Sequence, residues 1–354
     1  MAATLEQIIE MYARADERLR ALVLLLEEGS ISRQRKELLL KQIEDILTEL
    51  TGQVGQQTAL LIGDAYRAGA TAAVQSITSA GVAREMVNDT LKPLIHQRAA
   101  QAIMDELFYS ILEATDHMAA DAKQRVEEAV RAANERSLLT GTSRRESTRQ
   151  AIAELNNRGI TGIIAKNGAQ IPADKYMAGV IHYHQRKAHV TGTENMATQN
   201  GYDLVYVNYV GITCEHCARK QGRVYSLSGN DKRWPRMTDE YRPPYHSHCV
   251  HSMSIWIEEY QSPEEVKRLL DISNRLGEET RSEQHIRRYR ELQKQKARAS
   301  ETRKQWMRYK ALMPDDVPDL RTFASQKARN AKRYRELQED YRKINASIKD
   351  KEMN

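Results

Sequence analysis

The chain has 354 residues and carries 54 Lys and Arg against 48 Asp and Glu, a formal net charge of +6. That length allows two or three domains with real cores, and only 6% aromatic residues, two of them Phe, favour helices packed through Leu, Ile, Ala and Met over an aromatic-rich β-sandwich. No run of about 18 apolar residues occurs, so no membrane-spanning helix is expected, and the opening MAATLEQIIEMYARADER lacks the layout of a secretory signal, which points to a reducing compartment.

Residues 4–28 read as an amphipathic helix, because Leu5, Ile8, Tyr12, Leu19 and Leu22 recur mostly at spacings of three and four. Gly29 ends it, and Ser30 or Ser32 can cap the next helix, over about 33–52. The Ala-rich stretch 56–79 is a further helix despite Gly63 and Gly69. Residues 91–139 hold the longest periodic run, from Leu94 through Ile103, Leu107 and Ile111 to Met118. Thr142 or Ser143 then caps a helix with Arg144, Arg145 and Glu146 in its first turn, ending near Gly159.

The texture changes after Gly159. Residues 160–171 read as a short hairpin around Asn167-Gly168, a pair suited to a type I′ turn. Pro172 and Asp174 open a helix to about Asn200, and the β-branched, aromatic run 204–210 is the clearest strand. Shorter strands are expected at 222–225 and 253–257. Ser262-Pro263-Glu264-Glu265 is a strong helix start, and helices continue to the end with a break near Pro314–Pro318. The base excess sits in residues 281–343, which hold 19 Lys and Arg against 9 Asp and Glu.

One constellation carries chemistry. Cys214-Glu-His-Cys217 follows a strand, and Pro243-Pro-Tyr-His246-Ser-His-Cys249-Val-His251 comes after a polar loop. A C-x2-C turn aims two thiolates at one ion, and an H-x2-C turn completes a tetrahedron, with structural Zn2+ the best match. Three cysteines suit such a site better than a disulfide framework. Cys214, Cys217, His246 and Cys249 are the expected ligands. His248 and His251 are alternatives for the imidazole, and His216 should point away. Zinc would offset the small apolar core of a short-stranded region.

At these residues the chain resembles the phage minor capsid, Mu F-like head morphogenesis family. The resemblance runs through the C-x2-C pair, Gln221-Gly222-Arg-Val-Tyr-Ser226 and Pro243-Pro-Tyr-His-x2-Cys249. Gly159-Ile-Thr-Gly-Ile-Ile, Tyr176-Met177 and Gly201-Tyr-Asp-Leu-Val-Tyr-Val207 look like the minor capsid protein 2 type, so the likeness covers about 145–260. It implies a structural, non-enzymatic head protein present in few copies near the portal, joined to the portal protein and other head proteins. Such a protein belongs in the virion after assembly in the host cytoplasm, and can leave with the genome. The cysteines and His246 map onto the metal-ligand positions of that pattern. Two departures stand out: Val250-His251 replaces an Arg-Cys pair, and Ile181-His182-Tyr183-His184 stands where an Arg-Thr pair is common.

Three further features bear on function. His182 and His184 lie two apart on a helix and face different sides, so with His189 they read as ordinary histidines rather than a second metal site. Arg287, Arg288, Arg290, Lys294, Lys296, Arg303, Lys304, Arg308 and Lys310 would give a phosphate-attracting field for packaged double-stranded DNA, contacted without sequence preference. Tyr289, Trp306 and Tyr309 would either stack on bases or pack the seam of a helical hairpin. The catalytic alternative, a zinc-stapled endonuclease or other DNA-processing enzyme, lacks a His/Asn/Asp set separate from the staple, and no Arg…Ser-Thr-Ser…Glu-x-Glu series of an ADP-ribosyl transferase is present. The expected architecture is mainly α with a small central α+β domain. It comprises a helical N-terminal domain (1–158), a zinc-stapled, short-stranded core domain (159–260) and a basic helical C-terminal segment (261–354).

Overall fold

A computed structural model describes residues 4–24, 33–140, 161–165, 168–313 and 316–352. The expected caps at Gly29 to Ser32, the helix start at Thr142 to Glu146, Gly159, Asn167 and Pro314 lie outside these residues. The described residues form two compact units. One holds residues 4–23, 33–124, 161–165 and 168–286; the other holds 24, 125–140, 287–313 and 316–352.

The first unit begins with α1 (Leu5–Leu24) and α2 (Arg33–Ser79). Ile8, Tyr12, Ala15 and Leu19 form the buried stripe of α1, and Arg18 ties it to Glu49 of α2 at 2.7 Å. The two helices expected over 33–52 and 56–79 are one helix of 47 residues. Helix α3 (Leu94–Thr140) buries Ile103, Leu107, Ile111, Ala114 and Met118, a stripe at spacings of three and four.

A two-stranded antiparallel hairpin, β1 (Thr161–Ile164) and β2 (Gln170–Pro172), leads into α4 (Ala173–Gln199). Helices α2 and α4 cross at backbone contact: a Cβ on Gly69 would lie 1.9 Å from the His189 carbonyl oxygen. Ala70, Ala73 and Ile77 of α2 share a core with Met196 and Ala197 of α4 and with Ile255.

The main sheet has the order β4-β3-β5, all antiparallel, from β3 (Leu204–Val207), β4 (Arg223–Ser226) and β5 (Met253–Ile255). Strand β3 is shorter than the run 204–210 suggests, ending at Val207. Its side chains alternate between two cores. Val205 and Val207 pack with Val190 of α4, Tyr225 and Met253. On the other face Leu204 and Tyr206 pack with Leu269 of a helix, α6 (Pro263–Asn274). The short helix between them, α5, spans Glu215–Ala218. Ser262 caps α6 as expected, accepting from the Glu265 N–H at 3.2 Å.

Helix α7 (Glu283–Leu312) begins in the first unit and continues in the second, which adds α8 (Leu320–Ala328) and α9 (Lys332–Glu352). The core of the second unit is Tyr309, Met313, Val317, Phe323, Tyr334 and Leu337. Tyr309 stacks on Tyr341 with centroids 4.4 Å apart, and Trp306 donates its indole N–H to the Pro318 carbonyl at 2.8 Å. Trp306 and Tyr309 therefore pack a helical seam.

Candidate metal centre

The register of the main sheet brings the ligand-bearing segments together. Val207, the last residue of β3, pairs with Met253, the first of β5, and with Arg223, the first of β4. The chain leaving β3 toward Cys214, the residues entering β4 after Cys217, and those entering β5 after Cys249 thus converge at one end of the sheet. Segments about thirty residues apart in sequence come within a few ångströms of one another.

Cys214 is the N-cap of α5: its Sγ accepts the Cys217 backbone N–H at 3.4 Å, which turns both sulfurs to the same side. A second turn, closed by the Cys249 N–H on the His246 carbonyl at 3.0 Å, returns His246 and Cys249 to them. Among the described residues two overlapping donor triads result, Cys214–Cys217–His246 and Cys217–Cys249–His251, with the donor atoms of each within 4.8 Å. His246 Nε2 lies 3.4 Å from Cys214 Sγ and 3.1 Å from Cys217 Sγ. His251 Nδ1 lies 3.5 Å from Cys249 Sγ. Cys217 is common to both triads; Cys214 and His246 fall in one, Cys249 and His251 in the other. His248 and His216 are exposed and belong to neither triad.

The thiols of the two triads perturb one another. Cys217 and Cys249 are fully buried, and all three cysteines are free. The hydrogen bond from Cys217 holds Cys249 well below the usual thiol range, and that same bond, together with burial, pushes Cys217 up. Burial draws the His246 imidazole below its ordinary value, against the attraction of Cys249. The donor set fits a thiophilic divalent ion, because one such ion would balance the sulfurs together.

The surroundings are rigid. Lys220 is buried, donates to the Glu240 carbonyl at 2.8 Å, and places its ammonium 5.1 Å from the Tyr245 ring centre. Arg223, also buried, donates to the carbonyls of Ile272 (3.2 Å), Arg275 (2.8 Å) and Glu278 (3.1 Å), pinning the end of α6 to β4. Neither position stands out in the sequence, because their partners are backbone carbonyls. A cavity of about 740 Å³ between β3 and α6 is lined by Asp203, Arg233, Trp256 and Glu258 among others and includes no cysteine.

Of the remaining candidates, His184 is buried on α4 with its Nδ1 bonded to the Val180 carbonyl at 2.9 Å, and His182 meets the Ser247 carbonyl at 2.9 Å. On α7, Arg287, Arg288, Arg290, Lys294, Lys296, Arg303, Lys304 and Arg308 are exposed. Arg288 pairs with Glu291 at 3.2 Å, Arg308 with Glu301 at 3.0 Å, and Lys310 donates to the Val317 carbonyl at 2.8 Å.

Compared with known proteins, residues 33–343 match a family model described as phage minor capsid protein 2. No curated protein and no solved structure matches significantly.

Proposed function

The chain belongs to the phage minor capsid protein 2 family, and from that premise we propose a structural, non-catalytic head protein, seated near the portal in few copies, whose cysteine cluster closes on a zinc ion. The family supports a structural role in the phage head and a place in the virion, with other head proteins as partners. The portal as the particular neighbour, assembly in the host cytoplasm, and packaged double-stranded DNA as a sequence-neutral contact of α7 are parts of the proposal.

The observation that carries the zinc reading is the pair of donor triads, Cys214–Cys217–His246 and Cys217–Cys249–His251, that share the Cys217 sulfur. A set of three thiolates and one imidazole fills the four positions zinc prefers and leaves none for a water molecule, which suits a staple rather than a catalyst. No helix among the described residues is long and apolar enough to cross a membrane.

Mass spectrometry of purified virions for protein stoichiometry, with elemental analysis of the purified chain, tests the reading. Expected are a copy number far below that of the shell protein and one zinc per chain. A copy number equal to the shell's, or a metal-free chain, would refute the corresponding part. Incubation with plasmid and Mg2+ or Mn2+ tests the catalytic alternative: nicking that disappears in His248→Ala would replace the structural role.

A further inference from the structure

We infer that the imidazole donor of the metal site is His251, through Nδ1, and that Gln221 holds it in the tautomer able to bind. This rests on the zinc reading above, and it differs from the assignment to His246 that sequence spacing favours.

The hydrogen atoms around Gln221 have forced places. The Val210 backbone N–H can only donate, and it meets Gln221 Oε1 at 2.8 Å. That orients the amide, leaving Gln221 Nε2 to donate to Thr280 Oγ1 at 3.0 Å. The Thr280 hydroxyl in turn gives its own proton to the Ala218 carbonyl at 2.6 Å, so its oxygen is free to accept. Gln221 Oε1 also lies 2.8 Å from His251 Nε2, and two acceptors cannot bond each other. Nε2 of His251 therefore carries the proton. A neutral imidazole has one N–H, so Nδ1 offers a lone pair, and it faces the cluster 3.5 Å from Cys249 Sγ. Zinc bonds of about 2.3 Å to sulfur and 2.0–2.1 Å to nitrogen give tetrahedral donor separations of roughly 3.5–3.6 Å, in keeping with that spacing. His251 and Gln221 are both completely buried, so bulk water does not compete for either.

His246 is wired the opposite way. The His248 backbone N–H donates to its Nδ1 at 3.2 Å. The proton of the neutral ring then sits on Nε2, the atom aimed at Cys214 and Cys217. Ligation through Nε2 would require a proton on Nδ1, opposed to another N–H. In the arrangement present, Nε2 of His246 faces the sulfurs of Cys214 and Cys217, an outer-shell position once a metal is bound. Cys217 and Cys249, which share a triad with His251, are then its co-ligands, with Gln221 and His246 as positioning residues.

Full-length protein labelled with 15N-histidine and loaded with cadmium-113 tests the assignment. One imidazole nitrogen should couple to cadmium, and the coupling should persist in His246→Asn. Loss of coupling in His246→Asn overturns the assignment while leaving the site intact; failure of the wild-type chain to bind stoichiometric cadmium or zinc overturns the site itself. Because a variant at buried His251 risks unfolding, zinc affinity by chelator competition supplies a second readout. Gln221→Leu should weaken binding about 10–100-fold, as loss of an outer-shell partner does. Gln221→Glu, which keeps an acceptor for His251, should restore most of it, and His246→Asn should cost less than Gln221→Leu. A larger loss in His246→Asn, or no rescue by glutamate, would overturn the proposal.

Discussion

Gly192 on α4 rests against the carbonyl oxygen of Tyr66 on α2, so closely that a Cβ at position 192 would stand 2.3 Å from that oxygen. The crowding is reciprocal in kind at Gly69, and Thr193 adds a hydroxyl bond to the Gly69 carbonyl at 3.1 Å. Backbone cannot yield as a side-chain tip can. Gly192→Ala or Gly69→Ala should therefore force the helices apart at a cost of about 3 kcal/mol. Gly52 is exposed with open space around it, so Gly52→Ala should stabilise α2 by about 0.5–1 kcal/mol. Urea midpoints of the three variants decide the matter; a neutral Gly192→Ala would show that the crossing is looser than described.

Removal of a sulfur should reach beyond the metal. Cys214→Ser or Cys249→Ser is expected to release zinc, and a bound zinc in small sites contributes about 10–16 kcal/mol. Strand β5 begins just after His251, and Ile255 of β5 shares a core with Ala73 and Ile77 of α2. Loosening at the knuckle should thus carry α2 with it. Circular dichroism melts alongside zinc content test this: a variant that loses zinc with an unchanged melting curve would refute the stapling role.

The parts of this site legible in sequence are those decided locally. A C-x2-C pair at a helix cap and an H-x2-C turn declare themselves by spacing, because a single turn sets the geometry. The choice between His246 and His251 was not legible, since it depends on Val210, Gln221 and Thr280, which come from separate segments. The break expected between residues 52 and 56 does not occur, and α2 runs on through Gly52, Gly55, Gly63 and Gly69 despite their low helix propensity. Gly69 is there for close approach, which no local pattern reveals. Trp306 and Tyr309 read equally well as stacking platforms or as a seam until α8 and α9 cover them.

Arg223 tests how a buried cation is tolerated without a carboxylate. Its guanidinium spreads over the carbonyls of Gln221, Ile272, Arg275 and Glu278, two of them, Ile272 and Arg275, at the negative end of α6. A lysine ammonium lacks the planar fork that reaches these separate carbonyls. Arg223→Lys should cost about 2–3 kcal/mol through carbonyls left unpaired. The denaturation midpoint should fall with an unchanged slope; a shift under about 0.5 kcal/mol would mean water replaces the guanidinium at those carbonyls.

Acid should weaken the fold through α4. Burial, the largest influence, draws His184 below its ordinary 6.5, opposed by the Val180 carbonyl and Glu106. His189 is lowered likewise by burial, then by Arg186. Once unfolded, both take up protons near their ordinary 6.5, so below that pH the unfolded chain binds more protons than the folded one. Stability is then full above about pH 6.5 and lost as pH falls toward the depressed folded values. The melting temperature should hold above about pH 7 and drop toward about pH 5, less steeply in His184→Gln. An identical pH profile in His184→Gln and His189→Gln would remove these residues as the cause.

The exposed cations of α7 set up the last test. Among the described residues Arg287, Arg290, Lys294, Lys296, Arg303 and Lys304 have no ion-pair partner, whereas Arg288 and Arg308 do. Duplex DNA would place phosphates there without base recognition, so binding should be salt-dependent and indifferent to sequence. Replacing Arg287, Arg290, Lys294 and Lys296 by glutamine should lower the slope of log K against log salt by about 3–4, near 0.9 for each phosphate no longer neutralised. A deletion should start after Ile286, because Arg281 donates to the Thr213 carbonyl at 2.6 Å and His285 meets Tyr209 at 3.2 Å beside the knuckle. Cutting before those residues would confuse removal of charge with damage to the metal region. If the full-length chain retains no DNA at about 50 mM salt, where electrostatic binding is strong, the charge of α7 serves a protein partner instead.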